Sequence, residues 1–331
     1  MPTFCRHGRL EANCPICSKK ERAAPVTRTG GRRPATASSP STRRRAATRA
    51  GDLHVRRMAR AQDDGYDNWA VPGLRATVEA QRLAGEIAFA AARLTQLESD
   101  PPGLYADAAS AGGEEGLWLA FLIAYLSPVE GPGPFAGIAA ARTSWATGEL
   151  PDLDGVPLGP RTGHDPARGL ATLTAYRAHA ERSGSQAAAL AAGETSLNPQ
   201  RRFDRAFERL SLPGLRRAPR YEFLLVAGRL GLLDVAPSSL VLSADPTDAT
   251  LVAAKRILGI GDAINLQRRA SELASEAGVP IGALDLAFLN WARPEDDRIT
   301  AGSSAVADPG VRERVATVLG VTTDGPVENE L

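Results

Sequence analysis

Residues 211–234 read SLPGLRRAPRYEFLLVAGRLGLLD, and the fold is decided by how this stretch is divided. Leu212-Pro213-Gly214 is a chain break, because proline lacks an N–H and glycine accepts turn conformations closed to other residues. Downstream, Tyr221, Leu224, Leu225 and Gly228 recur at the spacing that places them on one helix face. Upstream, Phe203 to Leu210 reads as a second helix, ending at Ser211. The stretch is therefore helix, tight hairpin, helix.

The same period recurs on both sides. From Trp69 to Leu97 the apolar positions follow mostly helical spacing, after Pro72-Gly73 and before Asp100-Pro101-Pro102-Gly103. Glu114-Glu115-Gly116 leads into LWLAFLIAYL (117–126), which is apolar all round and predicts a core helix with acids at its positive end. Phe135 to Trp145 predicts a short helix, and 150–167 a Gly/Pro/Asp loop. Gly169 to Ala192 predicts an Ala-rich helical stretch interrupted near Ser183-Gly184. Further helices are predicted at Thr247–Leu258 and Ala263–Ala277, followed by LDLAFLNWAR (284–293). Strand signals are few, so the expected fold class is all-α.

The 331 residues have a formal net charge of +1 and are 43% hydrophobic. Such a chain can bury a proper core but is not a uniformly basic nucleic-acid binder. The average hides an asymmetry: between Lys19 and Arg60 stand thirteen basic residues against Glu21 and Asp52. That segment is poor in bulky apolar residues and rich in Pro, Ser, Thr and Arg, the composition of a disordered cationic linker. No apolar run approaches the roughly 20 residues of a membrane-spanning helix. No secretory apolar segment follows Met1, so the expected location is the cytoplasm, with no membrane partner.

All three cysteines lie within residues 5–17, beside a histidine, in FCRHGRLEANCPICSKK. Cys5, His7, Cys14 and Cys17 form two ligand pairs across a short loop, and three thiolates with one imidazole are a standard closed set for structural Zn2+. Three reduced, unliganded cysteines on a tail are the plainer alternative. The expected organisation is a zinc knuckle (1–18), a basic linker (19–65), a helical domain (66–300) and a C-terminal tail (301–331).

The chemistry is expected around the Leu212-Pro213-Gly214 hairpin. A hairpin there exposes backbone N–H groups at the start of the next helix, where a phosphate oxygen is held by unpaired donors and the helix dipole. Arg216, Arg217 and Arg220 crowd positive charge at that same end, unfavourable for the helix alone and relieved by an anionic partner. Past the helix, Gly231-Leu232-Leu233-Asp234 brings a carboxylate out of an apolar approach, where partial desolvation would raise its pKa.

This hairpin, helix and acid resemble the helix-hairpin-helix DNA glycosylases over roughly residues 110–295. With the N-terminal Cys/His knuckle and basic linker, the chain looks most like the α-glutamyl/putrescinyl thymine pyrophosphorylase (clade 3) branch of that superfamily. The resemblance implies a two-lobed helical domain that flips a modified, phage-type base from double-stranded DNA and cleaves its N-glycosidic bond, in phage defence. Position by position, it implies Asp234 as catalytic acid and Leu212, Pro213, Gly214, Arg216 and Arg217 as the phosphate grip. Arg216 stands where the family has a second glycine. Ala218 replaces the lysine of bifunctional members, which implies a monofunctional enzyme, and no C-terminal cysteines remain for an iron–sulfur cluster.

A second register stays open: Gly259-Ile260-Gly261-Asp262, with Arg268 and Arg269, as the phosphate hairpin and Asp285 as the acid. Transfer of an amino acid or polyamine to an activated thymine, or DNA binding without catalysis, are the functional alternatives. In plainer terms, Asp234 is a helix cap, His164 and Asp165 a solvated loop pair, and Trp118, Trp145 and Trp291 core residues.

Overall fold

Helices follow from the punctuation of the chain. In the computed structural model, which describes residues 61–191 and 197–323, twelve α-helices and no strand occur among the described residues. They are α1 (Thr77–Ser99), α2 (Leu104–Ala111), α3 (Gly113–Leu126), α4 (Ala136–Ala141), α5 (Ala171–Arg182) and α6 (Gln186–Ala191). After these come α7 (Pro199–Arg209), α8 (Arg217–Arg229), α9 (Ala249–Ile257), α10 (Ala263–Ala277), α11 (Ala283–Trp291) and α12 (Pro309–Val318). All lie in the unit spanning residues 56–331. Cys5, His7, Cys14, Cys17 and the basic segment up to Arg60 lie outside the described residues.

Asn198, Asp248, Asp262 and Asp308 each cap a helix, their side chains accepting from Arg201, Leu251, Asn265 and Val311 N–H. Such caps satisfy donors that a helix start leaves unpaired. Gly278 ends α10 in the left-handed conformation, at φ 64°, as expected of a glycine just past a helix.

The packing follows the apolar pattern. From Leu117 to Leu126 every residue of α3 is buried, because other helices surround it: α2, α4, α6 and α8. Within this set α5 packs on α6, α6 on α7 and α7 on α8. A second set forms around α1, which buries Leu83, Ile87, Leu94 and Leu97 and packs on α11 and α12, with α9 on α11 and α10 on α12. Contacts of α1 with α8 link the two sets.

Two elements depart from expectation. Helix α2 follows directly on Pro101-Pro102-Gly103, where the sequence reads only as a terminator; Gly103 at φ 54° turns the chain into it. The segment 301–331, expected as a tail, instead contains α12, which buries Val315 and Ala316, with Leu319 buried after its end. Tyr66 Oη and Asn68 Nδ2 donate to the carbonyls of Leu319 (2.6 Å) and Val318 (3.1 Å). A helix this short carries few apolar residues, so its sequence looks polar although one face is buried.

The tryptophans behave as core. Trp118 and Trp291 are buried and donate their indole N–H to the carbonyls of Thr143 (3.0 Å) and Glu79 (2.9 Å). Half-buried Trp145 packs against Trp118, and Arg177 lies 4.1 Å above the Trp145 ring.

Candidate functional site

Charged residues are rarely buried unless paired, yet five of them form one chain through the interior. On α8, Arg217 and Tyr221 are four apart and share a face. Tyr221 is fully buried, so Arg217, 4% exposed, is buried with it and its guanidinium lies 4.5 Å from the centre of the Tyr221 ring. It donates to Asp285 Oδ1 and to the carbonyls of Leu240 and Val241, and stands 3.3 Å from Thr250 Oγ1. Asp285, in the first turn of α11, is 1% exposed and accepts from Arg161 at its other oxygen. Arg161 in turn donates to Glu222 Oε2 (2.9 Å), and Glu222 accepts from Arg93 of α1. Tyr105 Oη, 3.3 Å from Arg93, donates to the Ala301 carbonyl at 3.2 Å.

The backbone is shaped to hold this chain. Residues 159–163 are tied to the end of α3, with Gly159 N–H donating to Ser127 O (3.0 Å) and Gly163 N–H to Tyr125 O (2.7 Å). A Cβ on Gly159 would lie 2.0 Å from the Pro128 carbonyl oxygen, so only glycine lets the Arg161 loop come this close. Val241 adopts φ 44°, a costly conformation for a β-branched residue, at one of the two carbonyls that receive Arg217.

Burial alone would push the Asp285 carboxyl up; the Arg217 and Arg161 guanidinium groups overcome it and hold the carboxyl below its ordinary 3.8. Glu222 follows the same balance, with Arg93 and Arg161 bringing it below 4.5. Both acids thus have folded-state values below their unfolded ones. Their stabilisation is complete above about pH 4.5 and is lost as pH falls through the lower folded-state values. Urea midpoints measured from pH 5 to pH 3 are expected to drop below about pH 4.5, in addition to any earlier decline from His164 and His179, which burial holds below their ordinary value. A profile flat to pH 3 would contradict the buried ion chain.

Beside this chain opens a cavity of about 510 Å³, within the range of small-ligand sites. The 160–162 loop, the start of α8, residues 243–250 leading into and opening α9, Leu289 of α11 and Arg293 beyond its end line it. Three partners of Asp285, namely Arg161, Arg217 and Thr250, form part of its wall.

The expected grip is reorganised. Leu212-Pro213-Gly214 does form the α7–α8 turn, with Gly214 at φ 82° and the Pro213 carbonyl accepting from Thr172 Oγ1 at 3.2 Å. Pro213 and Arg216 are exposed and Leu212 is half-buried. Arg217, expected to hold phosphate, is instead the buried partner of Asp285. Arg220 turns back onto Ser211 Oγ (2.8 Å) and the Phe207 ring.

Asp234, expected in a desolvated position, has a side chain 67% exposed and pairs with Arg202 of α7. It follows the far end of α8, whose termini stand about 18 Å apart at 1.5 Å per residue, and, like Asp285, it is not itself among the residues lining the cavity. The apolar run before it packs the hydrophobic residues inward and leaves the carboxylate in water.

The second register has mixed features. Gly259 (φ 83°) and 96% exposed Ile260 form the α9–α10 turn, but Arg268 pairs with Glu272 and Arg269 donates to the Leu258 carbonyl. His164 stands 3.3 Å from Tyr125 Oη, and Asp165 caps a short 3-10 turn. Among the described residues no group of three His, Cys, Asp or Glu side chains is placed to hold a metal, and no helix is long and apolar enough to cross a membrane.

Arg93, Arg161 and Glu222 escaped sequence reasoning. Their one signal is a charge within an apolar helical run, Arg93 in AFAAARL and Glu222 in YEFLLV; Arg161 lies in a loop and has none. Compared with family models, curated proteins and solved structures, the chain matches none.

Proposed function

We propose that this chain is a monofunctional DNA glycosylase-type enzyme that accepts a flipped, modified base in the cavity beside Asp285. The observation that carries this is a cavity of about 510 Å³ whose wall includes three partners of a buried acid, Asp285, at the start of α11, the helix after the α9–α10 hairpin. The two helix sets around α3 and α1 support a two-lobed domain, with the cavity between α8 on one side and α9 and α11 on the other. Asp285, not Asp234, is assigned the acid's role. A flipped base must leave the stack and be held while its bond to the sugar breaks. Phosphates are gripped beside exposed Arg216, and the ionised Asp285 carboxylate, behind the wall formed by Arg161, Arg217 and Thr250, stabilises the cationic sugar electrostatically while water attacks it.

A second reading rests on the occupied oxygens of Asp285: with both neutralised by arginine, the domain binds DNA without cleaving it. Incubation with plain and phage-type modified duplexes, followed by alkali, separates the two. Strand breaks at modified positions, retained in Asp234→Asn and lost in Asp285→Asn, support excision. Covalent amine incorporation supports group transfer, and tight binding without product supports the binding module.

In the same proposal, Cys5, His7, Cys14 and Cys17 hold one structural Zn2+ and the basic segment adds sequence-independent, salt-sensitive affinity for DNA. Metal analysis of purified protein is expected to give one zinc per chain, reduced by Cys14→Ser. A metal-free preparation with unchanged DNA binding would remove the knuckle from the account.

A further inference from the structure

The cavity wall has two carboxylates of its own, and Asp285 is not one of them. Asp285 stands behind the wall with an arginine on each oxygen, so it acts on the cavity as a charge and not as a proton acceptor. Asp245 and Asp248 line the cavity directly. Each turns one oxygen onto neighbouring residues: Asp245 Oδ1 accepts from Thr247 N–H (2.9 Å) and Oγ1 (2.7 Å), and Asp248 Oδ1 from Leu251 N–H (2.9 Å). No hydrogen bond or ion pair engages Oδ2 of either acid among the described residues.

The two are not equivalent. Asp245 is exposed, and the Thr247 hydroxyl and N–H donors, with the Arg216 charge nearby, hold its carboxyl below the ordinary 3.8. Such a carboxylate is a poor proton acceptor. Asp248 is half-buried and is the N-cap of α9. Two residues on, in the same turn, Thr250 is buried and its Oγ1 lies 3.3 Å from Asp285 Oδ1. One helical turn thus carries an open carboxylate on the cavity wall and a direct contact to the acid behind it.

We propose that Asp248 is a second catalytic carboxylate, the one that takes a proton from the attacking water, a role that rests on the cavity being the base site. The two acids divide the work: Asp285 stabilises the cationic sugar through the wall, and Asp248 Oδ2 touches the water. As the glycosidic C–N bond breaks, its electron pair stays on the base nitrogen. The water oxygen bonds to the sugar C1′, and one water proton passes to Asp248 and from there to the departing base. Free base and an abasic sugar result, and Asp248 is again ionised.

Asp248→Asn in the full chain tests this, because asparagine caps a helix as well as aspartate does: the cap remains and the charge goes. The urea midpoint is expected to match the parent. The single-turnover excision rate on phage-type modified duplex is expected to fall about 10²–10⁴-fold, with the duplex concentration for half-maximal rate unchanged. Asp248→Ser, which also keeps a cap, is expected to behave alike. Sodium azide, a nucleophile that needs no deprotonation, is expected to restore part of the lost rate in Asp248→Asn, with a 1′-azido sugar as product, and none in Asp285→Asn. Undiminished excision by Asp248→Asn, loss in Asp245→Asn instead, or a loss that azide leaves untouched overturns the inference while the excision reading stands. A parent chain that yields no abasic product removes both.

Discussion

Asp285→Asn is expected to lower the unfolding free energy by about 3–5 kcal/mol, the usual cost of removing one member of a buried ion pair. The amide keeps the shape of the side chain but not its charge. Arg217 would then have no carboxylate partner, and Arg161 only Glu222. Two guanidinium groups, both at least nine-tenths buried, cannot recover that loss from solvent. Urea unfolding at pH 7 reads the effect directly, and a loss under about 1 kcal/mol would mean that the pairing contributes little. On modified DNA, at a temperature where circular dichroism shows the variant folded, excision is expected to fall on the order of 10²–10⁴-fold, the range for loss of a positioned acid or base. Asp234→Asn is the internal control. Its carboxylate lies in an exposed pair with Arg202, a type worth about 0–1 kcal/mol, and both stability and excision are expected to stay close to the parent.

The contrast between these two acids marks what a single sequence conveys. Helix positions were legible because their ends are written locally, in Asp248, Asp262, Gly278 and the Pro-Gly breaks, and because the apolar run 117–126 has no polar face to expose. Helix α12 was not, because its buried face amounts to little more than Val315 and Ala316. The site was legible only in fragments. Asp285 and Arg217 drew attention, but as an alternative acid and as a surface cation. Their connection through Arg161 joins residues 124 positions apart, and Arg93 with Glu222 joins residues 129 apart. Such pairing leaves no periodic trace. The exposure of Asp234 was not legible for the opposite reason: hydrophobic neighbours in sequence need not surround a side chain in space.

Arg217→Met separates the role that sequence suggested for this arginine from the one its surroundings give it. A phosphate-gripping surface arginine would lose DNA affinity on substitution, lowering the salt slope by about one contact with stability nearly unchanged. The buried arginine instead leaves Asp285 with Arg161 as its one cationic partner and removes the donors to the Leu240 and Val241 carbonyls. The expected loss is about 3–5 kcal/mol in urea unfolding, although methionine fills much of the stem's volume against Tyr221. The salt dependence of binding to plain DNA is expected to be unaffected, whereas Arg216→Gln, at an exposed position, is expected to reduce it with stability within about 0.5 kcal/mol of the parent. If Arg217→Met shifted the salt slope and spared stability, Arg217 would be a DNA contact after all, and Asp285 would be held in its ionised form by Arg161 alone.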